Sequence, residues 1–340
     1  GEYTIMDDST GGDCTAIGVW DLSAKTCTIG SDITGSGLQV YSNGVTVDGN
    51  GHTLNGEDSI NTGIYLDSVS NVTIRTLTVE HFYYGIQLAW ASNCNLIGNT
   101  TTLNTEGISL WGSDHNNIIG NTSIDNAEDG IDAVLDSTSN TISNNTISGN
   151  AWGLWLYYAD DNLGYNNNFI GNAVQLDSAG GAGNSFNLAQ PAGGNYWSDW
   201  TGPDANSDGF VDSPYVALSG DTDLLPWTQM NGWCVEPLLS LTRANSYWQS
   251  YSDYSAGHLS VDYSISNSAD AAAYGVEVVG TVNTSEVNSM NPLPVVGEIA
   301  PHSSAAMTII YNVPTSVTSF RSTIYAIASD SCGNVQSYPG

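Results

Sequence analysis

The chain has 340 residues, enough for two domains with separate cores. It carries 35 Asp and Glu residues against 4 Lys and Arg, for a formal net charge of −31 at pH 7. This charge excludes nucleic-acid binding, because phosphates are neutralised by clusters of Lys and Arg. The sequence also lacks a run of about 18 apolar residues, so it predicts no transmembrane segment.

Residues 1–42 are predicted to form an N-terminal cap or entry segment. The chain begins at Gly1 without a signal peptide, as expected of the mature form of a secreted protein. Cys14 and Cys27 flank a short stretch and predict a local disulfide. Because disulfides persist in oxidising compartments, we expect an extracellular location at the cell surface.

Residues 43–190 contain a repeat of 22 or 23 residues. Its marker is a Gly-apolar pair at Gly63-Ile64, Gly85-Ile86, Gly107-Ile108, Gly130-Ile131 and Gly153-Leu154. One short coil buries only one side of its strands, so coils must stack about 4.8 Å apart with equivalent residues above one another. The repeat therefore predicts an all-β fold, a right-handed parallel β-helix.

Asparagines recur at two further places in each repeat. One column is Asn71, Asn93, Asn116 and Asn140, and the other is Asn99, Asn121 and Asn144. Stacked amide side chains hydrogen-bond along such a column, so the sequence predicts Asn ladders at the corners of the coils. Five N-x-S/T sequons are candidate glycosylation sites, at Asn71, Asn99, Asn121, Asn144 and Asn283.

Strand alternation after each Gly-apolar pair predicts two columns of outward-facing side chains. They are Tyr65, Gln87, Ser109, Asp132 and Trp155, and Asp67, Ala89, Trp111, Val134 and Tyr157. The aromatic members Trp111, Trp155 and Tyr157 are either scattered surface aromatics or contacts to a neighbouring subunit or to sugar rings. Cys94 is left without a pairing partner, and it is either buried in a coil or available for an intermolecular bridge.

Residues 191–227 are predicted to be an acidic linker that binds Ca²⁺. Residues 204–212 read D-x-N-x-D-G-x-x-D, which places oxygen ligands at Asp204, Asn206, Asp208, Phe210 (through its carbonyl) and Asp212. Every donor is a hard oxygen, which favours Ca²⁺ over zinc or copper. Tyr215 stands where a bidentate Glu is expected, and Asp221 or Asp223 is a candidate substitute.

Residues 228–340 are predicted to form a β-sandwich. Alternation with period two marks strands at 258–265, 274–282, 305–311 and 322–328. Cys234 and Cys332 bracket the domain and predict a second disulfide.

The stretch from Val45 to Leu54 resembles the opening coil of NosD-like β-helix proteins, and so does 194–200, which reads GNYWSDW. This resemblance covers about residues 1–227 and implies a parallel β-helix of a type frequent in archaeal surface proteins, including those of methanogens. The C-terminal third more loosely resembles immunoglobulin-like adhesion modules. The copper-linked role of part of the family is not expected here, because copper sites need clustered His, Met or Cys.

These features predict a structural protein that self-associates into a homopolymer, as a calcium-stabilised subunit of a surface layer, sheath or filament. Open solenoid ends need caps or partners. The alternatives are an adhesin that binds cell-surface glycans and a carbohydrate-active enzyme of the lyase, epimerase or glycosidase type. The best carboxylate group for catalysis is Asp125, Glu128, Asp129, Asp132 and Asp136, with Asp132 and Asp136 as the acid–base pair. Because 35 acids make chance clustering common, we predict that the chain is not an enzyme.

Overall fold

The computed structural model describes residues 2–57, 61–290 and 292–339. It divides into two compact units, Gly1–Trp233 and Cys234–Gly340. Within the described residues, no helix is long and apolar enough to cross a membrane.

The first unit consists of short strands and one helical turn, numbered along the chain. Its N-terminal elements are β1 (Glu2–Ile5), α1 (Cys14–Ile17), β2 (Gly18–Asp21), β3 (Thr26–Ile29), β4 (Ile33–Thr34), β5 (Gly37–Val40), β6 (Thr46–Asp48) and β7 (Thr53–Asn55). The repeat region contains β8 (Thr62–Asp67), β9 (Thr73–Arg75), β10 (Thr78–Glu80), β11 (Tyr84–Ala89), β12 (Asn95–Ile97), β13 (Thr100–Thr102), β14 (Glu106–Trp111), β15 (Asn117–Ile119), β16 (Thr122–Ile124), β17 (Asp129–Val134), β18 (Thr141–Ser143), β19 (Thr146–Ser148), β20 (Trp152–Tyr157), β21 (Leu163–Tyr165), β22 (Asn168–Ile170) and β23 (Val174–Ala179). It ends with β24 (Tyr196–Trp197), β25 (Tyr215–Val216) and β26 (Thr222–Asp223).

Three sheets of eight strands wind together into a parallel β-helix, which confirms the predicted fold class. Sheet I has the order β1-β5-β8-β11-β14-β17-β20-β23, sheet II β2-β3-β6-β9-β12-β15-β18-β21, and sheet III β4-β7-β10-β13-β16-β19-β22-β24. The strands pair in parallel except β2 with β3. Residues 1–42 contribute β1 to β5 to these sheets.

The Gly-apolar repeat fixes the register of sheet I. Ile64 pairs with Ile86, Ile86 with Ile108, and Ile108 with Ile131. All four side chains are fully buried, so the repeat forms an apolar ladder along the inside of the solenoid. Its glycines leave room for the stack: a Cβ atom at Gly107 would lie 2.5 Å from the carbonyl oxygen of Gly130 in the next coil.

The corners of the coils carry three Asn ladders. They run Asn99-Asn121-Asn145-Asn167-Asn195, Asn104-Asn126-Asn150-Asn172 and Asn116-Asn140-Asn162-Asn184. In each ladder an amide nitrogen donates to the next amide oxygen and to a backbone carbonyl of the preceding coil. For Asn121, these acceptors are Asn145 Oδ1 at 3.1 Å and Leu96 O at 2.8 Å.

The predicted ladders were partly out of phase. Asn145, not Asn144, continues from Asn121. Asn93 lies one residue before the ladder position, which Cys94 occupies by donating its backbone N–H to Asn116 Oδ1. Asn71 likewise lies one residue before Val72, which is fully buried. Because Asn144 and Asn145 are adjacent, the sequence alone does not show which of the two belongs to the ladder.

Two of the five predicted glycosylation sites are wrong. Asn99 and Asn121 are each 1% exposed, and their amide nitrogens are used in the ladder. A glycan on either amide would remove its hydrogen bonds and has no space. Asn71, Asn144 and Asn283 are exposed.

The structure contains both predicted disulfides, Cys14–Cys27 and Cys234–Cys332. Cys94 is a free, fully buried thiol. Of the two alternatives for Cys94, a buried coil position is therefore correct.

The second unit contains two antiparallel sheets of four strands, which agrees with the predicted sandwich. Its elements are β27 (Leu239–Tyr247), α2 (Tyr251–Ala256), β28 (His258–Asn267), β29 (Ala273–Val282), β30 (Asn288–Ser289), β31 (Val295–Ile299), β32 (Ser304–Asn312), β33 (Ser322–Ser329) and β34 (Val335–Pro339). The sheet orders are β27-β28-β32-β30 and β31-β29-β33-β34. Side chains from both sheets, such as Ile265, Val276 and Ala326, form one hydrophobic core.

Candidate functional site

The outer face of sheet I carries acidic side chains between aromatic ones. Tyr84 pairs with Glu106, and in the following coils Asp129 pairs with Trp152. Glu106 and Asp129 each lie two residues before the paired Ile108 and Ile131, so they occupy adjacent coils of one column. Sheet stacking thus turns residues more than twenty positions apart into direct neighbours.

The next outward column places Asp132 between Ser109 and Trp155. The stacking of Trp155 on the exposed Tyr157 agrees with the prediction that this column lies on the outer face, but the centre of the column is not exposed. Ser109 is fully buried and Asp132 is only 2% exposed. The Ser109 hydroxyl donates to Asp132 Oδ2 at 3.0 Å.

Four carboxylates gather here and are called the acidic cluster: Glu106, Glu128, Asp129 and Asp132. Oxygen atoms of Glu106, Glu128 and Asp129 all lie within 4.8 Å of one another. Asp129 is 4% exposed, Glu106 is half-buried and Glu128 is exposed. The cluster is therefore closed at its base and open at Glu128.

Burial is the main influence on the pKa values of Glu106, Asp129 and Asp132. It raises the pKa of Asp129 to about 7, with the charges of Glu106 and Glu128 acting in the same direction. Burial also raises the pKa of Glu106 and raises that of Asp132 well above its usual range. The carboxyl groups of Glu106 and Asp132 also interact, and two carboxyl groups can share a hydrogen bond only when one of them holds a proton.

Two buried oxygens of the acidic cluster lack a hydrogen-bond partner, Asp129 Oδ1 and Asp132 Oδ1. A buried polar atom left unpaired costs about 1–3 kcal/mol, and more when it carries charge. These are the only such side-chain atoms among the residues that the structure describes. The cluster thus has acceptor capacity that the protein itself does not use.

Aromatic rings flank the acidic cluster along the solenoid axis. On one side, Tyr84 and Trp111 meet edge to face with centroids 5.8 Å apart. On the other, Trp155 stacks on Tyr157 at 5.5 Å and lies 6.5 Å from Trp152. Trp152 and Tyr157 are about 40% exposed, so part of this surface is open to solvent.

The structure brings together only part of the predicted carboxylate group. Glu128, Asp129 and Asp132 belong to the acidic cluster, whereas Asp125 and Asp136 are exposed and lie outside strand β17 on either side. Asp132 and Asp136 were therefore a wrong acid–base pair. Glu106 was missed because it comes from the preceding coil, although the 23-residue period places it beside Asp129.

The predicted calcium loop is compact. Asp208 N–H lies 3.1 Å from Asp204 Oδ1 and 3.2 Å from Asn206 Oδ1, and Gly209 N–H donates to Asp204 Oδ2. Asp212 Oδ2 accepts from Ala205 N–H. Among the described residues, one set of three acidic, His or Cys side chains brings its ligand atoms within 4.8 Å of one another, and it is Glu106, Glu128 and Asp129 of the acidic cluster. The carboxylates of Asp204, Asp208 and Asp212 in the loop do not all lie that close together.

The candidate substitute ligand Asp223 serves another role. It is fully buried and accepts from Asn195 N–H at 2.7 Å, Trp197 Nε1 at 2.9 Å and Leu225 N–H at 3.0 Å. Burial raises its pKa to about 6, against the opposite effect of these donors. Both carboxylate oxygens of Asp223 are thus engaged by donors of the last coil of the solenoid.

Comparison with known proteins gives one family match. The model of the family described as periplasmic copper-binding protein (NosD) matches residues 12–202. No curated protein matches the chain.

Several solved structures are similar at low identity. The periplasmic alginate epimerase AlgG is 20% identical, with 43% of this chain and 36% of the epimerase covered, at a TM-score of 0.34. An alginate lyase from Paenibacillus sp. is 16% identical over 51% of this chain and 90% of the lyase, at 0.27. Pectate lyase Pel9A is 14% identical over 56% and 71%, at 0.28. The chain spans about a third of the length of the epimerase.

The prediction that this chain is not an enzyme requires correction. The solved structures named above are an alginate epimerase, an alginate lyase and a pectate lyase, but at 14–20% identity and TM-scores of 0.27–0.34 they show a likeness in fold alone. Asp129 and Asp132 are buried together with unpaired oxygens, unlike acids that cluster by chance over a surface.

Proposed function

The chain belongs to the NosD family, because the family model matches more than half of the chain. Since that family is described as periplasmic, we infer a location outside the cytoplasm, in a periplasm or at a cell surface. Two disulfides support this location, because they persist in oxidising compartments.

We propose that the protein is a carbohydrate-active enzyme whose active site is the acidic cluster on the outer face of sheet I. The observation that carries this proposal is the position of buried, incompletely paired carboxylates between two aromatic surfaces. From β11 to β20 the solenoid advances three coils, about 14 Å. A linear glycan lying along the axis would meet Tyr84 and Trp111, then the carboxylates, then Trp155 and Tyr157.

Asp132 is the residue that we assign to acid–base catalysis. The Ser109 hydroxyl orients it, and Glu106 contacts it from the preceding coil. Paired carboxylates are the usual groups for protonating a glycosidic oxygen and activating water. The site therefore favours hydrolysis.

A lyase that uses a basic residue fits the site less well. The first unit contains only two Lys and Arg residues, Lys25 and Arg75. Arg75 lies on sheet II and pairs with Asp48 at 2.8 Å, while Lys25 pairs with Asp7. Neither cation belongs to sheet I.

Copper, which the family name includes, does not fit the donors of this chain. The group of ligand atoms on sheet I consists of carboxylates alone, and His52 and His302 each pair with an aspartate. The buried Sγ of Cys94 contacts two backbone carbonyls, Ser92 O at 3.5 Å and Val69 O at 4.0 Å. Copper prefers imidazole, thiolate and thioether ligands.

Calcium binding by the loop 204–212 remains a separate proposal with a structural role. Its support is the D-x-N-x-D-G pattern together with the convergence of Asp204 and Asn206 oxygens on one N–H group. The predicted assembly into a surface layer or sheath receives no support from the comparisons, and glycan processing takes its place as the main hypothesis.

Turnover of polysaccharides tests the proposal. We expect the protein to release saccharides from at least one member of a panel of neutral, amino-sugar and uronic polysaccharides, followed by reducing ends and by the ultraviolet absorbance of unsaturated products. Asp132→Asn should slow turnover about 10²–10⁴-fold, the usual contribution of a general acid or base.

The matched control is Asp136→Asn, four residues away and exposed, which should retain the rate of the parent. Glycans that bind without turnover would identify a binding protein. Equal rates for both variants would exclude catalysis at the acidic cluster.

A further inference from the structure

The acidic cluster has the dimensions of a cation site. Two ligands on opposite sides of a Ca²⁺ ion, each at 2.3–2.6 Å, are about 4.6–5.2 Å apart. Oxygens of Glu106, Glu128 and Asp129 lie within 4.8 Å of one another, so all three can contact one ion of this size.

An independent observation points to a ligand at the same place. The Asp129 residue is only 4% exposed, and its Oδ1 has no hydrogen-bond partner. The neighbouring Asp132 Oδ1 is also unpaired, at 2% exposure. The Asn ladders of the same solenoid pair their amides throughout, so an orphaned oxygen is not a general property of this fold.

Within the described part of the first unit, no Lys or Arg side chain pairs with the acidic cluster. Each Lys and Arg of the first unit pairs with an aspartate elsewhere. The Ser109 hydroxyl donates to one of these carboxylates, at Asp132 Oδ2. Burying several carboxylates without a cation is costly, and a metal ion is a common compensation.

We propose that Glu106, Glu128 and Asp129 bind a Ca²⁺ ion on the outer face of sheet I, at a site separate from the loop 204–212. The donors are hard carboxylate oxygens, which Ca²⁺ prefers. Glu128 is exposed and gives the ion a path from solvent, while Asp129 forms the buried base of the site.

Terbium luminescence tests this site without any glycan. Tb³⁺ occupies calcium sites and is excited by nearby aromatic rings, and Tyr84 and Trp152 pair directly with Glu106 and Asp129. The starting protein carries Asp204→Asn and Asp208→Asn, which removes the loop as a second source of signal. We expect this protein to bind Tb³⁺ with sensitised emission and to release it when Ca²⁺ is added.

Adding Asp129→Asn to that background should weaken Tb³⁺ binding at least about tenfold, because calcium affinity depends on the number of charged ligands. Glu128→Gln is the second variant; its exposed position makes a folding defect improbable, and it should weaken binding in the same direction. Asp136→Asn, an exposed acid outside the cluster, serves as the control and should leave binding unchanged.

The proposal is overturned if the loop-deficient protein, folded by circular dichroism, gives no sensitised emission. It is also overturned if emission and affinity are the same with and without Asp129→Asn and Glu128→Gln. Because no glycan is present, these results do not depend on whether the protein turns over a polysaccharide.

Discussion

The corners of the coils and the outer face of sheet I both bury polar side chains, but they differ in how those side chains are paired. At a corner, Asn121 donates to Leu96 O and Asn145 Oδ1 and accepts from the backbone of Asn99. On the face, Asp129 and Asp132 each keep one oxygen without a partner. The corners use their polar groups to hold the coils together, whereas the face keeps its polar groups available.

The same contrast holds between two buried acids. Asp223 accepts hydrogen bonds from three N–H groups and closes the end of the solenoid. Asp132 accepts from one hydroxyl and contacts another acid. Buried groups that serve stability are usually fully paired, and incompletely paired groups concentrate at functional sites.

The largest expected loss of stability comes from interrupting a corner ladder. Asn121→Ala leaves Leu96 O and Asn99 N–H without their partners inside the solenoid. At about 1–3 kcal/mol for each unpaired group, we expect the free energy of unfolding to fall by about 3–5 kcal/mol in chemical denaturation.

The control for the ladder is Asn144, the exposed neighbour of ladder residue Asn145. Its φ is 57°, so Asn144→Gly keeps the backbone conformation and should change the free energy of unfolding by less than about 0.5 kcal/mol. A similar loss in both variants would show that the ladder contributes no special stability.

Asp223→Asn is expected to have the next largest effect. Both carboxylate oxygens accept N–H donors, and an amide offers only one acceptor, so at least one donor would face an NH₂ group. We expect a loss of about 2–3 kcal/mol in the free energy of unfolding, measured well above the pKa of Asp223.

The half-buried Asp221 provides the comparison, since its carboxylate accepts one weak hydrogen bond from the described residues, from Ser219 Oγ at 3.4 Å. Asp221→Asn should be nearly neutral. An equal loss of unfolding free energy in Asp221→Asn would show that the three hydrogen bonds to Asp223 do not explain its contribution to stability.

The sequence predicted the ladders better than the acidic cluster, for a physical reason. The Gly-Ile period gives the coil spacing and the register of sheet I, because every coil must bury an apolar residue at that point. Asn positions are uncertain by one residue where two polar residues adjoin, as at Asn144-Asn145. The acidic cluster joins Glu106 and Asp129 from different coils, so it can be recognised only when the strands are aligned in register. Strand alternation predicts which side chains point outward, but it does not predict that an outward side chain such as Asp132 is buried.

Substitutions of Cys94 are expected to change the free energy of unfolding least, and they test whether its position belongs to a corner ladder. It occupies a ladder position, with Sγ 4.0 Å from Val69 O, the carbonyl that a ladder amide would reach. Cys94→Asn should therefore extend the ladder and change the free energy of unfolding by no more than about 1 kcal/mol. Cys94→Ala, which forms no such bond and leaves a small cavity, should lose about 1–2 kcal/mol. A larger loss for Cys94→Asn than for Cys94→Ala would contradict the assignment of this position to the ladder.

The most direct test of the account is the free energy of unfolding of Asp132→Asn, measured beside the parent protein with a chelator present. An amide keeps the acceptor for Ser109, carries a donor that can face Glu106 and cannot ionise in the buried site, so we predict stability that is unchanged or up to about 2 kcal/mol higher. This result would show that the fold does not need Asp132 and that the carboxylate is retained for a ligand. A loss of more than about 1 kcal/mol would show that Asp132 supports the solenoid itself, and it would contradict the central claim that the outer face of sheet I is a functional site.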